Sequence, residues 1–432
     1  MNSNNPRHRE AIDTLRTLEA AGHAARLAGG CVRDMVMGSE PRDYDVATAA
    51  RPEVVMKLLG ARGLKVIPTG IDHGTVTLVM PHSHIEITTL RRDVSTDGRR
   101  AVVAYDGATF EEDAERRDFT MNALYQDQHG KIYDFHNGLA DIAARRLAFV
   151  GSPVTRIRED YLRILRFFRF WARFDLNPDP SAMDAIKAEQ AGLDAVSSER
   201  ITHETFELLS AKAIVAPLQA MHQTGVLAHV LPGFPNKISL HHVLTSLTNL
   251  IDLYEIHQTW RCQARLALIL YFSTVETAER MRLKLSNRDR RAVLWGRDGF
   301  DAIAGAGTEV ADLLSFVTRC DREAGQGSLH DWLHPVWTEL ASHFNEAARD
   351  ERLLKINATL NAEKNFGTRR TTPMPVTGKD VMEKLKVNQG RRVGEILAAL
   401  ERAWLNGTWT TRDEGLALVV LMSTSSSNSN YI

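Results

Sequence analysis

Strand-forming patterns are confined to the first third of this 432-residue chain, and helical spacing governs the remaining two thirds. Residues 74–80 and 84–90 are rich in β-branched side chains and are separated by Pro81 and Ser83, the pattern of a hairpin. Arg26, Leu27 and Ala28 run into Gly29 and Gly30, and Tyr44, Asp45 and Val46 form a further short strand-like stretch. Residues 38–42, with Pro41, read as a turn. Strands interleaved with helices predict an α+β or α/β head. Beyond Pro153, residues 158–174, 198–212, 241–254, 262–271 and 393–405 place apolar residues at helical spacing. Residues 363–375 read as a loop or linker, and the Ser/Asn run at 423–430 as a fraying end.

Composition excludes several classes. Hydrophobic residues make up 44% and charged residues 25%, which fits a soluble globular protein and not a disordered or collagen-like chain. The longest apolar run, residues 416–422, is far short of the ~20 residues of a membrane helix. The N-terminal stretch lacks an apolar core, so no signal peptide is expected. Cys31, Cys262 and Cys320 are too scattered for a disulfide framework or a zinc site and suit a reducing, cytoplasmic setting. The 16 histidines, His241 and His242 included, show no metal-ligand spacing, so no additional phosphohydrolase domain is expected. Lys and Arg number 53 against 54 Asp and Glu, so a nucleic-acid partner would need a local basic surface. Residues 145–173 offer one: eight arginines against Glu159 and Asp160. Phe167, Phe168, Phe170 and Trp171 interleave with them; basic plus aromatic can mean RNA contact, but aromatics at helical spacing are read here mainly as core.

The chemistry concentrates in a few stretches. Two glycines between a strand and a helix, Gly29 and Gly30, let backbone N–H groups approach phosphate oxygens with no Cβ in the way. Arg33, on the first helical turn, can add a charge-assisted contact. Asp43 and Asp45 lie two apart on an extended segment, so both carboxylates face one side and make a hard-oxygen site suited to Mg²⁺. Glu86 sits between Ile85 and Ile87 and alternates to the face opposite them, towards the same place if the apolar face packs on helices. Arg117, in the cluster Arg116, Arg117 and Asp118, could hold a triphosphate or order the chain around the site. Each piece alone also has a structural reading: a glycine turn, an acidic turn, a solvent-facing glutamate, a capping cluster.

Together, Gly29 to Asp34, Asp43-Tyr44-Asp45, the stretch from Arg116 to Ala123, Asp134 with Gly138 and Asp141, and Glu159-Asp160-Tyr161-Leu162-Arg163 resemble the nucleotidyltransferase superfamily of the polymerase β type. More narrowly they are similar to the class II tRNA nucleotidyltransferase (CCA-adding enzyme) and bacterial poly(A) polymerase family. The resemblance spans residues 27–175; farther on it extends only to being helical. It implies an α+β fold: a polymerase-β-like head, a small mixed sheet with helices, at 1–150. An all-helical neck (151–220), body (221–362) and tail (363–432) come after it, the tail in contact with tRNA. It implies template-independent addition of CCA to the 3′ end of tRNA from CTP and ATP, with pyrophosphate released and Mg²⁺ as cofactor. Asp43 and Asp45 are then the catalytic metal ligands of a two-metal site, and Glu86 is the candidate third acid. Gly30 and Arg33 bind the triphosphate and Arg117 assists. Asp160 and Arg163 read the base, with Arg166 and Arg169 near the nucleotide.

That base reader has a chemical logic. On a helix, Asp160 and Arg163 share one face. Cytosine and adenine each present an amine donor beside a ring-nitrogen acceptor, whereas uracil and guanine present an acceptor beside a ring N–H. A carboxylate that accepts and a guanidinium that donates match the first two and mismatch the others. The alternative is a surface ion pair worth ~0.3–0.5 kcal/mol.

Within the family, residues 67–77 look like the CCA-adding type. Four activities occur in the family: CCA addition, CC addition only, A addition only and poly(A) synthesis. Residues 91–100 look like the flexible loop of full CCA-adding and A-adding enzymes, which ranks CC-only addition low and leaves poly(A) polymerase as the main alternative. Residues 375–380 and 388–394 are similar to stretches of the family's tail, where a Gly-rich turn can grip an RNA phosphate; a packing helix-turn-helix is the other reading. From other classes, a non-catalytic RNA-binding protein is disfavoured by the presence of both aspartates. A small-molecule nucleotidyltransferase would need neither the base reader nor the long helical body.

Overall fold

The computed structural model describes residues 5–96, 101–105, 107–232, 261–271, 281–290, 374–405 and 408–425, with isolated positions at 234, 244, 247 and 293. The chain divides into two units, Met1–Pro232 and Gly233–Ile432.

The first unit opens with α1 (Pro6–Ala20). Asn5 caps it by accepting the Arg7 N–H, and Pro6 occupies a position where no N–H is needed. After it come β1 (Ala25–Ala28), α2 (Gly30–Val36), β2 (Tyr44–Thr48), α3 (Pro52–Gly60), β3 (Lys65–Gly70), β4 (Thr75–Val79) and β5 (His84–Thr89). Next are β6 (Arg92–Thr96), β7 (Ala101–Ala104), α4 (Phe110–Glu115), β8 (Leu124–Gln126), β9 (Ile132–Asp134) and α5 (Gly138–Ala143). Seven strands form one mixed sheet in the order β3-β4-β5-β2-β1-β8-β9. Its β2–β5 pair is parallel and its other pairs are antiparallel. Leu15, Leu18, Leu27, Val46, Leu59, Leu78, Ile85 and Ile87 make the core under this sheet. The α+β head and the β4–β5 hairpin are therefore as the sequence predicts. Within the stretch read as a loop at 91–100, Arg92–Thr96 is extended and residues 97–100 lie outside the described residues. Arg92 pairs with Ala104 and Thr96 with Ala101 in a separate two-stranded ladder. Val94, Thr96, Val102 and Val103 are β-branched, which favours an extended backbone.

The remainder of the unit is mainly helical: α6 (Pro153–Glu159), α7 (Arg163–Phe174), α8 (Pro180–Glu189), α9 (Ser198–Ser210), α10 (Val215–Gln223) and α11 (Val226–Val230). The short strands β10 (Arg146–Leu147) and β11 (Asn177–Pro178) pair in parallel across α6 and α7 in sequence. Phe167, Phe168 and Phe170 are buried, and Phe119 and Phe149 pack on the Phe167 ring. The core reading of these aromatics holds.

One expectation is corrected. Apolar spacing predicts a single helix over residues 158–174, with Asp160 and Arg163 on one face. Instead Asp160 ends α6 in an extended conformation (φ −156°, ψ 102°), and Arg163 begins α7. The Asp160 carboxylate accepts the Leu162 N–H at 3.2 Å, a local bond that competes with the helical path.

In the second unit, α12 (Arg261–Tyr271), α13 (Gly378–Leu385), α14 (Arg391–Leu405) and α15 (Arg412–Ser425) are described. Val376, Val381, Leu400, Trp404, Trp409 and Val419 form a common core for the last three. Thr377 and Asp380 make a reciprocal capping box at the start of α13. The helix expected at 241–254, apart from positions 244 and 247, the linker at 363–373 and Cys320 lie outside the described residues. Among the described residues, no helix is long and apolar enough to cross a membrane.

Candidate active site

Two strands bring the acids together. Asp45 on β2 and Glu86 on β5 are direct partners in the parallel ladder, and directly paired side chains share a face. Ile85 and Ile87 are buried while Glu86 is exposed, so the alternation read from the sequence is present. Asp43 lies in a bend just before β2 rather than on the strand itself. Burial pushes the Asp45 carboxyl up to about 6, with the charges of Glu86 and Asp43 adding to the rise and Arg117 opposing it. Negative charge crowded at a partly buried point favours a divalent cation. Among the described residues, no group of three or more His, Cys, Asp or Glu side chains encloses a metal position by itself. Mg²⁺ does not need such a cage: it is held by one or two carboxylates completed by phosphate oxygens and water. The hard-oxygen donors of Asp43 and Asp45 fit that mode.

The glycine turn stands beside these acids. β1 pairs with β2 on one side and β8 on the other, which puts Gly29 at the head of the central strands. Gly29 has φ +74° and ψ −125°, and its N–H donates to Leu124 O at 2.9 Å. A Cβ at Gly29 would lie 2.6 Å from Arg117 Nη1. Arg117 thus lies against the turn, donating to the Tyr125 hydroxyl (3.0 Å), Asn122 O (3.3 Å) and Asp113 (3.2 Å). Gly30 opens α2, whose first-turn N–H groups have no acceptor within the helix. Gly29→Ala is expected to destabilise the fold by about 1–3 kcal/mol, through backbone strain and displacement of Arg117. A thermal melt measures it; an unchanged melt would show that the turn tolerates a side chain.

Arg33 lies behind the Gly30 turn, its Nη2 3.5 Å from where a Cβ on Gly30 would stand. It is only 4% exposed. Its Nε and Nη2 donate to Asp34 at 2.8 and 2.6 Å, and its Nη1 donates to Asn122 Oδ1 at 2.6 Å. Phe170 and Phe174 of α7 lie under the guanidinium. From there a chain of charges reaches α9. Asn122 donates to Asp118 (2.9 Å), Arg166 donates twice to Asp118 (2.8 and 2.6 Å), and Glu204 lies 3.6 Å from Arg166 and 2.9 Å from Arg169. Asn122 falls within the 116–123 stretch that carries the resemblance, but its contacts are not readable there, and Glu204 carries no signal in the sequence that marks it for this role. Glu204 sits on an amphipathic helix face, where nothing distinguishes it locally.

Burial alone would raise the Asp118 carboxyl. Arg166 foremost, with Asn122 and the Phe119 N–H, outweighs burial and holds it at about 2, against 3.8 for an unperturbed group. A depressed folded-state value gives stability that is present above pH 4 and lost as pH falls towards 2. Asp118→Asn should therefore cost about 2 kcal/mol at neutral pH and flatten the stability profile between pH 4 and 2. Melts across that range measure it; an unaltered acid limb would contradict the pairing.

Asp160 and Arg163 do not pair with one another. Arg163 donates to Glu159 (2.6 Å), Arg156 O (2.9 Å) and Arg116 O (3.0 Å). Asp160 accepts from Arg200 Nη2 of α9 at 2.7 Å, and its side chain remains 32% exposed. The basic stretch is also less basic than it reads. Arg145, Arg146, Arg156, Arg158, Arg163, Arg166, Arg169 and Arg173 each have an acid within ion-pair distance.

The chain is similar to known proteins in sequence and in fold. Residues 25–148 match the family described as "Poly A polymerase head domain", and residues 175–237 match "Probable RNA and SrmB- binding site of polymerase A". The mitochondrial CCA tRNA nucleotidyltransferase 1 of Danio rerio is 30% identical over 404 residues, covering 91% of this chain and 86% of that protein. The CCA-adding enzyme of Streptococcus gordonii is 29% identical over 401 residues, covering 92% and 93%. Among solved structures, the Bacillus stearothermophilus CCA-adding enzyme in complex with CTP aligns with a TM-score of 0.71 at 26% identity, over 98% of this chain and 99% of that one. The Thermotoga maritima CCA-adding enzyme complexed with tRNA shares the fold, with a TM-score of 0.63 at 19% identity over 98% and 97%.

Proposed function

This chain belongs to the family of CCA-adding tRNA nucleotidyltransferases and bacterial poly(A) polymerases, and from that membership we propose that it adds C, C and A in turn to the 3′ end of tRNA, using CTP and ATP and releasing pyrophosphate. The observation that carries the reading is the Asp45–Glu86 register beside Asp43, next to the Gly29–Gly30 turn. Whole-chain similarity to proteins named for CCA addition favours it over poly(A) synthesis.

In the reaction the 3′-hydroxyl oxygen bonds to the α-phosphorus, the bond from that phosphorus to the α–β bridging oxygen breaks so that pyrophosphate leaves, and the hydroxyl proton passes to solvent. Asp43 and Asp45 hold Mg²⁺, with Glu86 as the third acid. When bound, such an ion makes the attacking hydroxyl more acidic and neutralises charge on the departing pyrophosphate. The first turn of α2, from Gly30, receives phosphate oxygens. Arg33 behind that turn adds positive potential, and Arg117 keeps the turn in place. Asp160 accepts from the exocyclic amine of C or A, and Arg163 donates to the ring nitrogen. Arg166 and Arg169, oriented by Asp118 and Glu204, flank the nucleotide. Residues 1–150 are the catalytic head, 151–220 the base-reading neck, 221–362 the body and 363–432 a tail that contacts tRNA.

The test is a tRNA trimmed of its terminal CCA, supplied with labelled CTP and ATP. Three added residues ending in A, lost when the divalent ion is chelated, are expected. A long A tail containing no C would make the chain a poly(A) polymerase.

A further inference from the structure

The residue after Asp160 has an unusual seat. Gly192 lies in the 3-10 turn Gln190–Ala195, ahead of α9. A Cβ built on it would fall 2.0 Å from Tyr161 Cδ1 and Cε1 and 2.4 Å from Cζ. The Tyr161 ring therefore rests on the bare backbone of Gly192, and any side chain there must displace the ring. Asp160, next to Tyr161, ends α6 in an extended conformation at the link to α7, its N–H donating to Ile157 O at 3.1 Å and its carbonyl accepting the Arg163 N–H at 2.9 Å. Those bonds hold its backbone, and two further contacts orient its carboxylate. The Leu162 N–H donates to one carboxylate oxygen, and Arg200 donates to the other at 2.7 Å. Both supports outside the link, Gly192 and Arg200, flank the start of α9. A carboxylate has about four lone-pair sites, so it retains capacity for an exocyclic amine.

We propose that Gly192 is a positioning residue for base selection: it seats the Tyr161 ring and, together with Arg200, sets the direction in which Asp160 presents its carboxylate. This rests on the reading of Asp160 as base reader. The seat matters because selectivity between bases is a matter of hydrogen-bond direction, which is lost with a displacement of about 1 Å.

The experiment measures kcat and KM for CTP, ATP, UTP and GTP on trimmed tRNA, for Gly192→Ala, Arg200→Gln and Asp160→Ala, with a thermal melt of each. Gly192→Ala should raise KM for CTP and ATP more than it lowers kcat. It should also narrow the preference for CTP over UTP by about tenfold or more. Arg200→Gln, whose side chain is half-exposed, should narrow it in the same sense with the melt unchanged. Folded Gly192→Ala protein with wild-type selectivity overturns the proposal. If that variant does not fold, unchanged selectivity in Arg200→Gln overturns it. Should Asp160→Ala alone keep wild-type selectivity, it is the base-reader reading that fails. Loss in Asp160→Ala with none in the other two refutes the seat and leaves the reader standing.

Discussion

Asp45→Asn protein is expected to fold normally and to lose at least about a thousandfold of its nucleotidyl-transfer rate, because positioned charge at the reacting phosphate carries most of such a reaction. The substitution is nearly isosteric and removes one of three crowded negative charges. Burial and the neighbouring charges of Glu86 and Asp43 already oppose ionisation of this carboxyl. The melting temperature should accordingly stay level or rise while turnover collapses. Opposite movements of stability and activity separate a functional charge from a structural one. Turnover within tenfold of wild type would remove Asp45 from the catalytic role.

Asp160→Ala carries the second large effect. A site that recognises a substrate by hydrogen bonds rejects one with the wrong donor pattern by far more than a shape-selective pocket can. Loss of the carboxylate should reduce discrimination against UTP and GTP by about two orders of magnitude or more, with overall stability little changed, since the side chain is one-third exposed and its partner Arg200 is half-exposed. Arg163→Ala should lower selectivity as well, but less cleanly. That guanidinium also ties Glu159, Arg156 O and Arg116 O together, so its removal loosens the junction of α6 and α7. Competition assays with paired nucleotides read both effects, and selectivity unchanged in Asp160→Ala would contradict the assignment.

How legible the site is in the sequence depends on the range of the forces involved. The alternation of Ile85, Glu86 and Ile87 is a local property of a strand, and it is readable at once. So is the glycine turn, whose positive φ at Gly29 is one that L side chains rarely adopt. The pairing of Asp45 with Glu86 is not, because strand order is decided by the whole sheet. Helical spacing of Leu162, Leu165 and Phe168 conceals the break at Asp160, where one side-chain bond to the Leu162 N–H competes with the helix. The arginines of 145–173 show their charge but not their direction. Their acids come from Asp34, Asp118, Asp175, Asp179, Glu189 and Glu204 on distant segments, as well as from Asp141 and Glu159 nearby. Arg33 meets the same limit: its charge is visible in the sequence, while its burial depends on aromatic rings supplied by α7.

The central claim is that the acids beside the glycine turn transfer nucleotides whose identity is chosen by protein side chains without a template. Its most direct test offers trimmed tRNA all four nucleoside triphosphates at equal concentration and sequences the extended 3′ ends. Ends reading CCA, with U and G absent, are the predicted result. Ends of mixed composition, or a run of A alone, would contradict it.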